Sequence, residues 1–321
     1  MSKTHYLIAA LMLSAAPLPA MPQTWPDKPV RFVVPYAPGG TTDFSARLVA
    51  EKLSQQTGKS FFVENKAGAS GTIGTSQVVN SPPDGTTFLV NDTTYAMLPS
   101  LFAKLPWDHA NDLVPVTTLA VTPVVLVVAA NSPFKTAQEL FEHARRNPGK
   151  LNFGSGGNGS STHLSAEVLK KEGKLYITHV PYRGAGDAMV GLLSNQVDLL
   201  ITAAPTAMPQ VQGGRARALA VTGDRPLPGL PNVPTFKDVG LPGYTVTNWF
   251  GLAAPKGTSR EIVDRLQAEA QKALADPRVA ERLNAMGARP GGIPSAEFAG
   301  FIQREIRQWT DISKAAGVRP D

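Results

Sequence analysis

The chain has 321 residues, 42% hydrophobic and 17% charged, with 29 Gly and 28 Pro, a length that suits two globular domains and a composition that excludes general disorder. It contains no cysteine, which excludes disulfides, thiolate metal sites, iron–sulfur clusters and cysteine nucleophiles together. The 31 Lys and Arg exceed the 25 Asp and Glu by 6, but they are scattered, with no run denser than Ala144-Arg145-Arg146, a pattern that suits small anionic ligands and argues against nucleic acid.

At the N-terminus, Lys3 is followed by an apolar stretch from Tyr6 to Ala16 and then Pro17, Leu18, Pro19 and Ala20. These features predict a secretory signal peptide over residues 1–20, cut near Ala20 or shortly after, and a soluble, exported, periplasmic protein. No cysteine stands near the cut to carry a lipid. A membrane helix needs about 20 apolar residues; the best later candidate, Leu119 to Ala130, is interrupted by Pro123 and reads as a buried strand.

From Val30 onward, short β-branched runs alternate with helical patterns, which predicts an α/β fold with mainly parallel sheet covered by helices. Strands are expected at Val30–Ala37, Ser60–Asn65, Thr86–Asn91, Val116–Ala130, Leu151–Gly154, Tyr176–Tyr182, Asp198–Ala203, Ala216–Thr222 and Thr245–Ala254. Nine strands are too many for one comfortable sheet. Asp43 reads as a helix N-cap, and Thr136 with Glu139 and Thr258 with Glu261 have capping-box spacing. A last helix, Ser295 to Ala316, repeats Phe298, Ile302, Ile306, Trp309 and Ile312 along one face. Two stretches read as passages between domains: Val114–Ser132, with Pro123 near its middle, and Thr245–Pro255. Residues 24–123 with 250–321 then form one domain and 124–249 the other, with a cleft between them and a hinge beneath it.

In open α/β sheets, ligands bind beyond the carboxyl ends of strands, where helix N-termini present free N–H groups. Four loops stand there: Pro38-Gly39-Gly40-Thr41-Thr42-Asp43, Lys66-Ala67-Gly68-Ala69-Ser70-Gly71-Thr72, Asp92-Thr93-Thr94-Tyr95, and the run from Gly154 to His163. In the last, Gly154, Gly156 and Gly159 match G-x-G-x-x-G, the dinucleotide fingerprint. The acid that would hold a ribose is missing, because the next strand ends Val180-Pro181-Tyr182-Arg183. The three hydroxyls after the glycines suit a small anion better. The histidines beyond the leader, His109, His143, His163 and His179, show no metal spacing. No serine stands in G-x-S-x-G. His163, beside Ser160 and Ser161, reads as a hydrogen-bonding or packing residue. The expectation is a non-enzymatic protein with no cofactor and no metal.

An ordered series of motifs is similar to the substrate-binding receptors of tripartite tricarboxylate transporters, the Bug family. It comprises Trp25-Pro26, Val33-Val34-Pro35-Tyr36 with Pro38-Gly39-Gly40, Glu64-Asn65-Lys66-Ala67-Gly68-Ala69, and Asp84-Gly85-Thr86-Thr87. It continues with Asn152-Phe153-Gly154-Ser155-Gly156, Val180-Pro181-Tyr182-Arg183-Gly184, Arg217-Ala218-Leu219-Ala220-Val221-Thr222, Pro231-Asn232-Val233-Pro234-Thr235, Trp249-Phe250-Gly251-Leu252 and Ala254-Pro255-Lys256-Gly257-Thr258. The resemblance implies a type II periplasmic-binding-protein-like fold: two αβ domains, two crossover segments and a cleft that closes like a Venus flytrap. It implies a monomeric receptor that delivers a small organic carboxylate to integral membrane transporter subunits.

Carried over residue by residue, the resemblance places ligand contacts at Tyr36, Gly39, Thr41, Thr42, Thr93 and Thr94 in one domain, and at Ser160, Ser161, Thr162 and the turn at Ala204 in the other. Thr41 stands where the family often has a third glycine. Arg183 is placed either against a distal carboxylate or at the surface, and Asp92 and Asp187 either at the cleft or as capping or solvated groups. Two other readings stay open: a receptor of the same fold that reports to a membrane sensor, and a dinucleotide-binding enzyme.

Overall fold

The computed structural model describes residues 25–315; the expected signal peptide lies outside them. Among the described residues the chain forms β1 (Val30–Val34), α1 (Thr41–Thr57), β2 (Phe61–Asn65), a 3-10 turn (Ala69–Gly71), α2 (Thr72–Val79), β3 (Thr87–Asp92), α3 (Thr93–Leu101) and β4 (Leu113–Ala129). There follow α4 (Ala137–Arg146), β5 (Asn152–Ser155), α5 (Ser161–Gly173), β6 (Thr178–Pro181), α6 (Ala185–Leu193), β7 (Leu199–Ala203), α7 (Ala204–Gln212) and β8 (Ala216–Val221). The last elements are β9 (Thr247–Pro255), α8 (Arg260–Ala275), α9 (Pro277–Ala285), β10 (Arg289–Pro290) and α10 (Ser295–Ala315). All nine expected strands are present. The tenth, β10, has two residues and carries no period to detect.

Strand β4 organises the molecule by changing partners midway. Up to Pro123, which lies opposite Thr247, it pairs with β9; from Val124 on, it pairs with β7 and, from Val125, with β8. The first half of the sheet runs β2-β1-β3-β9-β4, and the second continues from β4 through β7 and β5 to β6. Proline supplies no N–H to a ladder, so Pro123 suits the point where one partner is exchanged for another. The sheet is more mixed than expected: β1 is parallel to β2 and β3, and β5 to β6 and β7, whereas β9 and β4 run antiparallel to their neighbours. Strand β4 runs through from one half to the other and β9 starts opposite its Pro123, and neither is reached by the helical crossover that a parallel pairing requires.

The core follows from the strand and helix periods. Val124 to Val128 are fully buried because this segment is covered on both faces. Helix α10 lays Phe298, Ile302 and Trp309 against the first half, and Trp249 of β9 meets Phe298 edge-on at 5.3 Å. Glu305 accepts from the indole N–H groups of both Trp249 (3.2 Å) and Trp309 (3.1 Å), which ties β9 to this helix.

Two helix starts depart from expectation. The cap of α1 is Gly40, and Asp43 lies one turn inside, where it accepts from Gly39 N at 3.1 Å. Helix α8 is capped by Ser259, one residue later than expected, because the Thr258 hydroxyl donates to Pro255 O at 2.8 Å. The capping box of Thr136 and Glu139 on α4 is complete. Replacing Thr136 by Ala is expected to lower unfolding stability by about 1 kcal/mol, measured by urea denaturation, with ligand affinity unchanged.

Candidate functional site

The carboxyl ends of β1, β3, β5, β6 and β7 all lead into helices, and the N-termini of those five helices meet at one cavity. Its lining includes Gly40, Thr41 and Thr42 of α1, Asp92 and Thr94 of α3, Ser160, Ser161 and Thr162 of α5, Ala185 of α6, and Ala203 and Thr206 of α7. Each terminus favours an anion by about 0.3–1 kcal/mol, and by up to about 2 when partly buried. No Lys or Arg lines the cavity. Its attraction for negative charge comes from backbone dipoles, N–H groups and hydroxyls.

Two carboxylates also reach it. Asp43 is engaged by Gly39 N, by Asn65 Nδ2 at 3.0 Å and by Arg47 at 2.9 Å. Asp92 is the N-cap of α3, accepting from Thr94 N (2.9 Å), the Tyr36 hydroxyl (3.0 Å) and the Thr42 hydroxyl (3.1 Å). Burial raises the Asp92 carboxyl above its ordinary value, against the opposing effect of those hydrogen bonds. Burial, with the Asp92 charge beside it, pushes the Tyr36 phenol well above its ordinary value, so the phenol remains a donor.

The two halves touch across the cavity. Thr41 N and Oγ1 meet Thr206 Oγ1 at 3.1 and 2.9 Å, Ser161 N donates to Thr94 Oγ1 at 3.0 Å, and Ala37 N donates to Arg183 O at 3.1 Å. The Ser70 hydroxyl donates to Asn158 O. The cleft is therefore closed, with about 30 Å³ of space for water centres, room for about two waters.

Inside it, Thr202 Oγ1 and Asn248 Oδ1 have no hydrogen-bond partner among the described residues, although the two residues are only 1% and 2% exposed. Buried polar atoms left unpaired cost about 1–3 kcal/mol each, so groups of this kind in a cavity mark where a ligand or ordered water belongs.

Of the residues singled out from the sequence, Tyr36, Thr41, Thr42, Thr94, Ser160, Ser161 and Thr162 line the cavity. Five do not. Gly39 spends its N–H on Asp43, and the Thr93 hydroxyl faces β9, accepting from Trp249 N at 2.9 Å. Ala204 is packed in the core while its neighbours Ala203 and Thr206 take the cavity wall. Arg183 is an exposed side chain paired with Asp187 one turn along at 3.2 Å, which leaves both outside. Thr202, Thr206 and Asn248 also line the cavity, without having been singled out from the sequence. Thr202 is the one polar residue of β7, Thr206 lies in the first turn of α7, and Asn248 follows Thr247 at the start of β9, so none stands in a motif.

His163 Nδ1 accepts from Gly159 N at 2.9 Å, and the ring stacks on His179 with centroids 3.8 Å apart. Burial lowers His179 to about 4, and its Nε2 lies 2.5 Å from Ser155 Oγ. Ser155 is fully buried and also bonds Gly157, so this group braces the glycine loop. Among the described residues no group of acids and histidines could hold a metal ion.

Asp92 makes the site pH-sensitive. A raised folded value means that the folded state binds its proton more tightly than the unfolded chain, so stability falls as pH rises from 3.8 through the raised value. An anionic ligand favours the same protonation. Carboxylate binding is expected to tighten as pH falls toward the raised value and to take up protons, measured by calorimetry in buffers of different ionisation enthalpy. Asp92→Asn is expected to abolish the uptake.

The family model described as "Tripartite tricarboxylate transporter family receptor" matches residues 45–318. BugT of Bordetella pertussis is 33% identical over 307 residues, covering 95% of this chain and 94% of that protein. The chain belongs to the tripartite tricarboxylate transporter receptors of the Bug family. Among solved structures, "R. palustris Rpa4515 with adipate" superposes with a TM-score of 0.89 at 35% identity, covering 92% of this chain and 100% of that one. "MatC (Rpa3494) from Rhodopseudomonas palustris with bound malate" superposes at 0.84 and 33% identity, covering 90% and 99%. The match spans nearly the whole receptor, both halves of the sheet included. Among the described residues, no helix of this Bug-family receptor is long and apolar enough to cross a membrane.

Proposed function

We propose that this receptor captures a small dicarboxylate in the cleft between its two domains and delivers it to integral membrane transporter subunits, by binding alone and without turnover. The observation that carries the reading is the unpaired, buried Thr202 hydroxyl, a free donor, in a cavity where five helix N-termini converge and no cationic side chain is present; the unpaired Asn248 Oδ1 is an acceptor for an ordered water or a ligand hydroxyl beside it. Relatives at 35% and 33% identity hold adipate and malate, both dicarboxylates, which supports that ligand class. The domains divide as residues 24–123 with 250–321 and 124–249, and the hinge lies at Pro123 and Thr247, where β4 exchanges partners. Export to the periplasm by the leader at residues 1–20 completes the reading.

A dicarboxylate cannot pass while Thr41 is joined to Thr206 and Ser161 to Thr94, so the domains part to admit it and re-make those contacts as they close around it. Micromolar affinity requires about 8 kcal/mol, more than dipoles alone supply, and the remainder comes from the hydroxyls and from water released on closure. The test is thermal unfolding of the purified chain with a panel of mono-, di- and tricarboxylates and with nicotinamide dinucleotides. A dicarboxylate at about 100 times its dissociation constant adds about 2.7 kcal/mol, a shift of several degrees. Stabilisation by dinucleotides and by no carboxylate contradicts the proposal.

A further inference from the structure

A second cavity, separate from the cleft, lies between the β3–β9–β4 face and α10. It has about 230 Å³ of space for water centres and is lined by Asn91, His109, Gln303 and apolar groups that include Leu113, Ala253 and Ile302. Neighbouring residues on a strand point to opposite faces, so Asn91 looks away from the cleft that Asp92 lines. Asn91 is 2% exposed, and neither its Nδ2 nor its Oδ1 has a partner among the described residues. His109 Nε2 is likewise buried and unpaired. Three orphaned polar atoms belong to two residues that line one roomy space, whereas buried polar groups are nearly always satisfied.

The chemistry of these atoms defines the occupant. The Trp107 indole N–H donates to His109 Nδ1 at 3.4 Å, so the neutral ring carries its proton on Nε2 and donates there. The ring is fixed by stacking on Tyr95, with centroids 4.1 Å apart. Burial lowers His109 to about 4, which keeps the ring neutral at physiological pH. No charged side chain lines the cavity. Asp112 and Asp108 are close enough to raise the Tyr95 phenol beyond what burial does, and they would repel an anion. Asp112 is occupied by Lys256 at 3.5 Å, and Asp108 accepts from Ala110 N and Asn111 Nδ2 in its own loop. Asn91 offers an amide donor and acceptor side by side, and His109 offers one further donor.

We propose that this cavity binds a small uncharged amide, such as a carboxamide or lactam, whose N–H donates to Asn91 Oδ1 and whose oxygen accepts from Asn91 Nδ2 and His109 Nε2. The apolar wall accommodates the hydrocarbon part, and exposed Ala110 and Gln303 mark the entrance. This proposal is independent of the carboxylate reading of the cleft.

The test is NMR titration of the full mature chain with propionamide and 2-pyrrolidone, following backbone amides and the Asn91 side-chain amide. The expected result is saturable shifts at Asn91, at His109 and along residues 299–303, with a dissociation constant on the order of 1 mM for ligands of about five or six heavy atoms. Asn91→Leu removes the hydrogen-bonding pair, and Ala299→Leu fills the cavity from α10. Each is expected to weaken amide binding at least about tenfold while a cleft carboxylate binds as before. Absence of saturable shifts in the native chain, as for a cavity that holds only water, would overturn the proposal. So would shifts that persist in Ala299→Leu, a change on the partly exposed face of a helix that decides the matter even where Asn91→Leu does not fold.

Discussion

A valine at position 186 is expected to hold the receptor open and to weaken carboxylate binding on the order of 100-fold. Gly186 lies in the first turn of α6, and a Cβ built there would stand 2.3 Å from Pro38 O, 3.0 Å from Gly39 C and 3.1 Å from Gly40 N. All three are backbone atoms of the loop before α1, on the opposite side of the cleft, so no rotamer change relieves the overlap. Only separation of the domains does. Separation forfeits the contacts of Thr41 with Thr206 and of Ser161 with Thr94; three hydrogen bonds at about 1 kcal/mol net each amount to about 3 kcal/mol. Because the overlap exists only in the closed form, Gly186→Val should fold normally. Small-angle scattering is expected to show a larger radius of gyration that ligand no longer reduces. Native affinity with native compaction would mean that closure here is not needed for binding.

Thr202→Val is expected to have the opposite effects on stability and on function. Its hydroxyl is buried without a partner, so an isosteric methyl removes an unsatisfied group, and stability should be unchanged or up by about 1 kcal/mol in urea denaturation. The ligand oxygen that would have met the hydroxyl is left unpaired, which costs about 1–3 kcal/mol and weakens calorimetric affinity about tenfold to a hundredfold. Asn248→Leu should behave in the same way. Lost stability with unchanged affinity would assign Thr202 to the framework.

Strands were legible because burial on both faces writes continuous β-branched runs, and the change of partners along β4 because Pro123 interrupts the longest of them. The hydroxyl-rich starts of α3 and α5 were legible because small polar residues after a strand are what a helix N-terminus needs. Thr202 and Asn248 were not: a lone hydroxyl in the apolar run of β7, and a polar residue beside Thr247 at the start of β9, do not say that the strand meets a cavity there. The placement of Arg183 was equally hidden. An i,i+4 ion pair with Asp187 on the exposed side of α6 competes with a role at the ligand, and only the fold shows which face α6 presents. Asp43 illustrates a limit of local reading, since two glycines before α1 move its cap to Gly40 and leave the acid inside the first turn.

The measurement that tests the central claim most directly is a crystal structure of the receptor with the dicarboxylate that stabilises it most. The account predicts a ligand in the cleft, with one carboxylate accepting from Thr202 Oγ1 within about 3.2 Å, Asn248 Oδ1 accepting from an ordered water or a ligand hydroxyl, the other contacts coming from hydroxyls and N–H groups of the helix starts, and no Arg or Lys in contact with that carboxylate. A ligand held by the Arg183 guanidinium at the rim, with Thr202 and Asn248 still unpaired, would contradict it.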